Sequence, residues 1–415
     1  DSNASRGLGD VYKRQFQANV NAEATEHVKR LRHHPSLALW CGNNEVAKAW
    51  QSWGWQEMYN LHGQDSSRVA EAANAMFNGL LPDVVEEHSG TFYLPTSPTL
   101  EADAGDAHAW AIWFGKEPWE YYSRHEGRFA SEYGLQSLPH LKTLQEAGIG
   151  TFQDEALQFR QRSKMDWLEP GFDGWDMMRH YMSTTVGAPA RDSLEAWIVQ
   201  SQMTQAEGLR QALERHRTSM GKYAGALYWS MNDVWPAVSW STVDHAGRWK
   251  LGQHAAKRAN APRTVLWERA SEDSLRLQAF NDLPSPVSGH LAVQCKTMDG
   301  VVLKDTSVAW RCPAHGTTRL NLGPMDLWRE TPKSSCLAWQ WTDATHPGDT
   351  LRQSALWEDA VDVNLPTSHI DVSVSGDRLT IVSSGYVPMA WVGCNVPGRF
   401  SDNGMPLEPH VPVHV

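Results

Sequence analysis

The spacing of apolar residues changes near residue 262, and this change limits the folds open to the chain. From Phe16 to about Pro262, helical segments alternate with short apolar strands, which is typical of βαβ units and a parallel sheet. After Pro262, strand candidates recur roughly every ten residues, separated by turn signals such as Asp299-Gly300, which is typical of an antiparallel sandwich. The pattern therefore predicts an α/β region followed by all-β regions.

Individual elements follow from the same periodicity. In the α/β region we expect strands at 37–41, 91–94, 107–114, 128–132 and 224–229, and helices at 138–147, 193–217 and 250–260. In the all-β regions we expect strands at 264–268, 275–279, 291–296, 317–322, 336–341, 370–374, 379–383 and 389–392. A second boundary near Pro366 leaves too few residues for another complete sandwich.

These boundaries predict four segments. The first is polar, has no apolar core of a signal peptide, and is interpreted as a non-native or disordered leader. The segments are the leader at 1–15, an α/β domain at 16–262, an antiparallel sandwich at 263–365 and a partial sandwich at 366–415.

Composition excludes several classes of function. The net charge of −11 argues against nucleic-acid and anionic-membrane partners, and no apolar run approaches the ~18 residues of a membrane helix. The five cysteines are widely spaced and predict free, buried thiols, although one pair within 295–336 could form a disulfide in an exported protein. These features are those of a soluble protein and leave the compartment, cytoplasmic or periplasmic or secreted, and the oligomeric state open.

Two glutamates stand where an apolar strand gives way to a polar turn. Glu45 follows the 37–41 strand, and Glu132 ends the 128–132 strand. The carboxyl ends of parallel strands meet at one rim, so both side chains could converge there. Two carboxylates held apart on a rigid frame are what sugar hydrolysis needs. Asn43 and Asn44 place amides beside Glu45, where they could bind a sugar hydroxyl.

The 21 tryptophans fit either packing or sugar stacking, because indole is large, flat and weakly polar. Most are expected in the core. Clusters in Gly-rich loops are considered separately: Trp50, Trp53 and Trp55; Trp110 and Trp113; Trp229, Trp235 and Trp240.

Several strings together resemble glycoside hydrolase family 2, and specifically its β-mannosidase branch. The two strings around the glutamates are RLRHHPSLALWCGNNE at 30–45 and FASEYGLQSLP at 129–139. Further strings are GDAHAW at 105–110, QAEGLR at 205–210, LYWSMNDVWP at 227–236, SWSTVD at 239–244 and GRFSDN at 398–403. The similarity spans nearly all of 16–415.

The resemblance implies a fold and a set of roles. The fold is the C-terminal part of a (β/α)8 TIM barrel, strands four to eight, followed by immunoglobulin-like β-sandwich domains. Glu45 matches the general acid/base, and Glu132 matches the nucleophile that forms a glycosyl ester. Substrate contacts are implied for Asn44, at a sugar hydroxyl, and for Trp53, Trp229, His108 and Trp110, although Trp110 and Trp113 also suit the core.

The implied activity is that of a retaining exo-β-mannosidase. It would act on terminal β-D-mannose of an oligosaccharide or of a glycoprotein glycan, and it needs no metal or cofactor. The chain departs from the family in lacking the amino-terminal domains and the first three barrel strands, and 153–190 diverges. We therefore expect a fragment that is inactive or weak alone and prone to aggregate.

Two alternatives stay open on the sequence alone. One is a related family 2 enzyme acting as a β-galactosidase, β-glucuronidase or exo-glucosaminidase. The other is a non-catalytic carbohydrate-binding protein that kept the tryptophan-rich surface but would be expected to lose one carboxylate, whereas both are present.

Overall fold

The structure is a computed structural model. It describes residues 2–100, 105–124, 127–189, 193–269, 271, 273–344, 348, 350–394, 396 and 398–415, with side chains from residue 14 onward. The chain divides into two compact units, Asp1–His108 with Glu126–Ser131, and Ala109–His125 with Glu132–Val415.

The first unit combines helices with short parallel strands. Its elements in chain order are α1 (Ser2–Leu31), β1 (Leu39–Cys41), α2 (Val46–Ser52), α3 (Trp55–Met58), α4 (Gln64–Ala75), a π-helical turn (Met76–Leu80), α5 (Leu81–His88), β2 (Phe92–Leu94), β3 (Asp106–His108) and β4 (Phe129–Glu132), the last residue of which belongs to the second unit. Strands β1 and β2 pair in parallel, and β3 neighbours β4.

A small apolar cluster holds the helices of the first unit to its strands. Val28 of α1 packs with Val84 and Val85 of α5, and Trp40 of β1 packs against this cluster. The Trp40 indole also donates to Ser89 Oγ at 3.1 Å. Trp40 is therefore a packing residue, and its interactions face the helices.

Helix α1 includes most of the segment at 1–15 that the sequence predicted as a non-native or disordered leader. It begins at Ser2 and continues to Leu31. Proline, which would break the helix, first occurs at residue 35, and it disfavours helical backbone at the residue before it. The non-native origin of 1–15 stays a prediction.

The second unit begins with a helical region. Its helices are α6 (Ala111–Gly115), α7 (Tyr121–Arg124), α8 (Leu141–Glu146), α9 (Glu155–Arg160), α10 (Gly174–Thr185), α11 (Leu194–Thr218) and α12 (Leu251–Ala259), with the two-residue strand β5 (Gly225–Ala226). Asp173 caps α10 through a capping box with Asp176, which satisfies amides that the first turn leaves unpaired. Helices α11 and α12 pack against each other.

Antiparallel sheets complete the second unit. Their strands are β6 (Arg263–Trp267), β7 (Ser274–Asn281), β8 (Val287–Thr297), β9 (Val302–Cys312), β10 (Gly316–Pro324), β11 (Ser335–Asp343), β12 (Thr350–Leu356), β13 (Ile370–Ser375), β14 (Arg378–Ser383), β15 (Val387–Ala390), β16 (Met405–Leu407) and β17 (Val413–His414). The sheet orders are β10-β7-β6, β12-β11-β8-β9, β13-β14-β17 and β15-β16. Short 3-10 turns lie at Met325–Leu327 and Ala360–Asp362.

The first two of these sheets share one core, as a sandwich requires. Val265 and Leu277 of one sheet pack in the same buried cluster as Leu291, Val293 and Trp339 of the other. The predicted fold class, α/β followed by all-β, is confirmed. The domain boundaries at 262 and 365 stay predictions.

One predicted strand is wrong over most of its length. We expected a strand at 107–114, but β3 ends at His108, and Ala111–Gly115 forms α6. Ile112 and Trp113 are fully buried. A short apolar run that is buried on all sides looks alike in a strand and in a helix, so periodicity could not separate them.

The cysteines test the expectation of free, buried thiols. All five cysteines are free; Cys295, Cys312 and Cys336 are buried, whereas Cys41 and Cys394 are exposed. The expectation of buried thiols is therefore wrong for Cys41 and Cys394.

Among the residues described, every helix is too short or too polar to span a lipid bilayer.

Candidate active site

Glu45 is fixed where the β1–β2 ladder ends. Beyond β1, Asn44 forms a parallel bridge with Ser97, and the Glu45 amide donates to the Ser97 carbonyl at 2.7 Å. Glu45 has φ of 64°, in the left-handed region that non-glycine residues rarely adopt. Such a backbone persists only where neighbouring structure enforces it, and it is often found at functional sites.

The Glu45 carboxyl group meets a buried histidine of its own unit. Its Oε1 lies 2.7 Å from Nδ1 of His108. The His108 side chain is 5% exposed and that of Glu45 is 22% exposed. The histidine is therefore enclosed, while the carboxyl group keeps a face open to a ligand.

Behind His108 lies a chain of hydrogen bonds that ends on a carboxylate. His108 Nε2 is 3.1 Å from Ser97 Oγ, and the hydroxyls of Ser97 and Ser131 donate to Asp106 Oδ2 at 2.5 and 2.6 Å. The Thr99 amide donates to Asp106 Oδ1 at 2.8 Å. Burial raises the pKa of Asp106, but the hydrogen bonds from Ser131, Ser97 and Thr99, together with the charge of His108, outweigh it and lower the pKa below its ordinary value. Asp106 is therefore an acceptor.

The two asparagines beside Glu45 differ in their use. Asn43 donates to the Pro95 carbonyl at 2.8 Å and accepts from the Val46 amide at 3.1 Å. Its side chain therefore shapes the turn that carries Glu45. Asn44 is exposed. Trp53, at the end of α2, is 48% exposed.

A cavity of about 860 Å³ lies in the first unit. Its wall includes Asn43 and Val46, which flank Glu45, and the aromatic rings of Trp50, Trp55 and Phe77. Aromatic walls with a few amides suit a ligand that is partly apolar. Trp50 of α2 and Trp55 of α3 therefore line this cavity.

Glu132 has a different partner, within the second unit. The Trp110 indole donates from Nε1 to Glu132 Oε2 at 3.0 Å, and the Ala109 amide donates to the Glu132 carbonyl at 2.7 Å. The Trp110 ring packs edge-on against Phe114 and Trp240, with centroids 5.3 and 6.1 Å away. The indole, and with it the carboxylate oxygen, is therefore held in place by packing.

The residues after Glu132 leave little room for movement. Tyr133 is fully buried, and its carbonyl accepts from the Trp229 amide at 2.8 Å. A Cβ on Gly134 would lie 2.2 Å from the Trp229 carbonyl oxygen, so only glycine fits. Trp229 is 48% exposed, and the peptide bond to Ser230 is cis.

A buried polar cluster supports this loop, and the sequence analysis did not identify it. Gln205 of α11 donates to the Leu135 carbonyl at 2.8 Å and accepts from Ser137 Oγ at 3.0 Å. Lys250 Nζ donates to the Ser137 carbonyl at 3.2 Å. Burial lowers the pKa of Lys250 to about 8, although the carboxylate of Asp233 and a second nearby carboxylate oppose the shift. Polar residues at core positions of the predicted 193–217 helix were the available signal.

Each predicted site residue can now be placed. His108 and Trp110, predicted as substrate contacts, are hydrogen-bond partners of Glu45 and Glu132 respectively. Trp113 is core, as the composition favoured. Exposed side chains that remain candidates for sugar contact are those of Asn44, Trp53 and Trp229.

Comparison with known proteins gives a consistent result. No family model matches the chain. A relative from Thermothelomyces thermophilus named β-mannosidase B is 34% identical over 261 residues, 60% of this chain and 30% of the relative. A second of that name, from Aspergillus fumigatus, is 31% identical over 269 residues, 61% of this chain and 31% of the relative. The chain thus spans about a third of the length of these curated relatives.

Solved structures show the same likeness at the level of the fold. A β-D-mannosidase from Dictyoglomus thermophilum matches with a TM-score of 0.79 and 24% identity, covering 97% of this chain and 48% of that one. An exo-chitosanase from Amycolatopsis orientalis matches with a TM-score of 0.62 and 14% identity, covering 96% and 50%. The resemblance drawn from the sequence motifs is therefore confirmed as a likeness: this chain is similar in sequence to proteins named β-mannosidase B and has the fold of about half of a solved β-D-mannosidase.

Proposed function

We propose that the chain carries both carboxylates of a retaining exo-β-mannosidase, with Glu132 as the nucleophile and Glu45 as the general acid/base. The observation that supports this assignment is the contrast between their partners. Glu45 shares a hydrogen bond with a group that can carry a proton, His108. Glu132 accepts from an indole N–H, which only donates.

In the first step, the ionised Glu132 attacks the anomeric carbon while the protonated Glu45 donates to the departing glycosidic oxygen. One C–O bond forms to Glu132 as the other breaks, and the proton leaves with the alcohol. The Trp110 N–H keeps one Glu132 oxygen oriented, so that the attacking geometry is set before the substrate binds.

In the second step, Glu45 acts as a base toward water. Water gives its proton to Glu45 and its oxygen to the anomeric carbon, and the ester to Glu132 breaks. Glu45 is returned to its protonated form, and Glu132 to the carboxylate. Stereochemistry at the anomeric carbon is retained because two displacements occur.

The substrate we propose is the terminal non-reducing β-D-mannose of an oligosaccharide or of a glycoprotein glycan. Asn44 is the candidate for hydrogen bonding to a sugar hydroxyl, and Trp53 and Trp229 are candidates for stacking on the sugar face, because all three are exposed. An indole face suits the C–H surface of a pyranose.

A second candidate is an exo-glucosaminidase. The fold likeness to the exo-chitosanase, at a TM-score of 0.62, favours it over the other family activities. It differs from the first candidate in the sugar and not in the chemistry, so substrate choice separates the two.

Covalent labelling tests the assignment. The product of the complete reading frame and the 415-residue chain are each treated with a fluorosugar mannosyl fluoride, which forms the ester but loses it slowly. Peptide mass analysis is expected to find the label on Glu132. The same experiment with a glucosamine-configured reagent decides the sugar.

Matched variants complete the test. Glu132→Gln is expected to remain unlabelled, whereas Glu155→Gln, in the first turn of α9, is expected to label like the parent. Hydrolysis of aryl β-mannosides without a label on Glu132, or a label on another residue, would refute the nucleophile assignment. Absence of both labelling and hydrolysis in the complete protein would refute the function.

A further inference from the structure

We propose that His108 is a positioning residue for the acid/base: it holds the transferable proton of Glu45 and makes Glu45 a stronger base once that proton has left. This inference rests on the proposed function and deepens it at one residue. Its basis is the direction of the hydrogen bonds that run from Glu45 through His108 to Asp106.

The direction is set at the far end. Asp106 is an acceptor, with its pKa held below the ordinary value. The Ser97 hydroxyl is 2.5 Å from Asp106 Oδ2 and 3.4 Å from Ser131 Oγ. Ser97 therefore donates its hydrogen bond to the closer acceptor, the Asp106 carboxylate. Ser131 has its own short bond to Asp106, at 2.6 Å. The proton of Ser97 is thereby directed away from His108.

This arrangement determines which nitrogen of the neutral His108 ring carries a hydrogen. Because the Ser97 hydroxyl donates its hydrogen to Asp106, the Ser97 oxygen faces His108 Nε2 at 3.1 Å as an acceptor. Nε2 must then carry a hydrogen, since two acceptors facing each other would repel. The tautomer of His108 is therefore Nε2–H whenever the ring is neutral.

The other ring nitrogen of His108, Nδ1, then determines where the proton shared with Glu45 lies. Nδ1 of the neutral ring is a lone pair 2.7 Å from Glu45 Oε1, and a hydrogen bond at this distance requires one proton between the two atoms. The proton resides on Glu45 as an acid or on His108 as an imidazolium beside a carboxylate. In either form the pair stores the one proton that the first step consumes.

Departure of this proton prepares the second step. After the leaving group takes the proton, the Glu45 carboxylate faces the Nδ1 lone pair, and this unfavourable contact is relieved when water supplies a proton. The proton count balances: the pair loses one proton in forming the ester and regains one in hydrolysing it, while the hydrogen on Nε2 stays on His108 and is donated to Ser97 throughout.

The kinetic test compares a substrate whose leaving group must be protonated as it departs, phenyl β-mannoside, with one whose leaving group departs without protonation, dinitrophenyl β-mannoside. For phenyl β-mannoside, His108→Phe and His108→Gln are expected to lower kcat/KM about 10²-fold, the low end of what general acid catalysis contributes. For dinitrophenyl β-mannoside, kcat/KM should change little, while kcat and KM fall together because the ester accumulates. A purely structural defect would lower kcat/KM for both substrates alike.

A control histidine is available in the same unit. His88 of α5 is also shielded, with a 14% exposed side chain 3.6 Å from Glu87. His88→Gln is expected to match the parent with both substrates. Ser97→Ala removes the acceptor of the Nε2 hydrogen but keeps the backbone carbonyl that holds Glu45, and it should show the His108 pattern at smaller amplitude.

A measurement that does not need turnover keeps the inference testable if these variants fold poorly. In NMR spectra of protein with isotope-labelled histidine nitrogens, one of the 18 histidines is lost in His108→Gln, which assigns its signals. We expect a hydrogen on Nε2 in the parent, and a shift of the Nδ1 signal in Glu45→Gln.

The outcomes separate this inference from the function it rests on. If the parent is labelled on Glu132 and hydrolyses mannosides, yet His108 variants keep the parent's leaving-group dependence, the inference about His108 is refuted and the function stands. A neutral Nδ1–H ring in the parent would also refute it. If the complete protein neither labels nor hydrolyses, the function and the inference both fail.

Discussion

The surroundings of the two glutamates differ in what they can do with a proton. Glu45 in the first unit contacts His108, which continues into Ser97 and Asp106. Glu132 in the second unit contacts the Trp110 indole, whose N–H is held by aromatic packing. One carboxyl group lies at the end of a chain of exchangeable hydrogens, and the other faces a donor that keeps its hydrogen.

The difference fits the two chemical roles that we propose for these glutamates. An acid/base must change its proton twice in each turnover, and a titratable neighbour makes that change easier. A nucleophile must stay ionised and correctly aimed, and a fixed neutral donor serves this without taking part in proton transfer. Two carboxyl groups can thus be given opposite roles through their neighbours alone.

Removing each carboxylate gives the largest expected effects. Glu132→Gln should lower kcat on the order of 10⁶-fold for every substrate, as loss of a catalytic nucleophile does elsewhere. Glu45→Gln should cost roughly 10²- to 10⁴-fold for phenyl β-mannoside and far less for dinitrophenyl β-mannoside in kcat/KM. Steady-state kinetics on both substrates measures this, and equal losses on both would break the comparison.

The buried support of the loop after Glu132 can be tested through Lys250, which donates to the Ser137 carbonyl in that loop. Its pKa is lowered from 10.5 to about 8 by burial, so between these values the unfolded chain binds more protons than the folded one. The free energy of unfolding should therefore rise with pH across this window, by about 3 kcal/mol in all. Denaturant unfolding at a series of pH values measures it.

Lys250→Met is expected to remove this rise, because the new side chain does not titrate. Lys257→Met in the same helix is the control: Lys257 Nζ donates to the exposed Ser401 carbonyl, and its loss should leave the rise intact. A rise that survives in Lys250→Met would assign the pH dependence to another group.

Trp110→Phe sharpens the comparison at the smallest scale. It removes the hydrogen bond to Glu132 while keeping an aromatic ring against Phe114 and Trp240. A hydrogen bond to a charged group contributes ~1.5–3 kcal/mol, so kcat should fall roughly 10- to 100-fold. Trp113→Phe, in the same short helix, should lower stability and leave kcat near the parent value. Similar turnover in both variants would remove the orienting role given to Trp110.

The sequence predicted the main architecture because periodicity records which faces are buried. Strands at 275–279, 291–296 and 336–341 correspond to β7, β8 and β11, whose apolar residues alternate in the sandwich core. Strands β9 and β12 were missed. In β9, Lys304 shares a face with Val308 and Trp310. In β12 the polar residues outnumber the apolar ones. Alternation of apolar and polar residues is therefore weak in both strands.

The sequence singled out candidate site residues, whose roles stay predictions, but it could not predict their hydrogen-bond partners. Motif matching singled out His108 and Trp110. Sequence spacing, however, cannot distinguish a residue that contacts the sugar from one that hydrogen-bonds a glutamate, as His108 does with Glu45 and Trp110 with Glu132. Asn43 and Asn44 are identical in the string, and only the turn geometry assigns one to the backbone. Lys250 gave no local signal at all, because its partners lie 113 residues earlier in the chain.

The backbone of Glu45 has a consequence for how this protein can be engineered. A glutamate at φ of 64° is less stable there than glycine would be, by about 1 kcal/mol. Glu45→Gly removes this backbone cost but also removes the hydrogen bond to buried His108, whose loss costs about as much. The variant should therefore melt near the temperature of the parent while lacking the carboxyl group. Such a folded variant would hold an intact phenyl β-mannoside long enough for crystallisation of the bound complex.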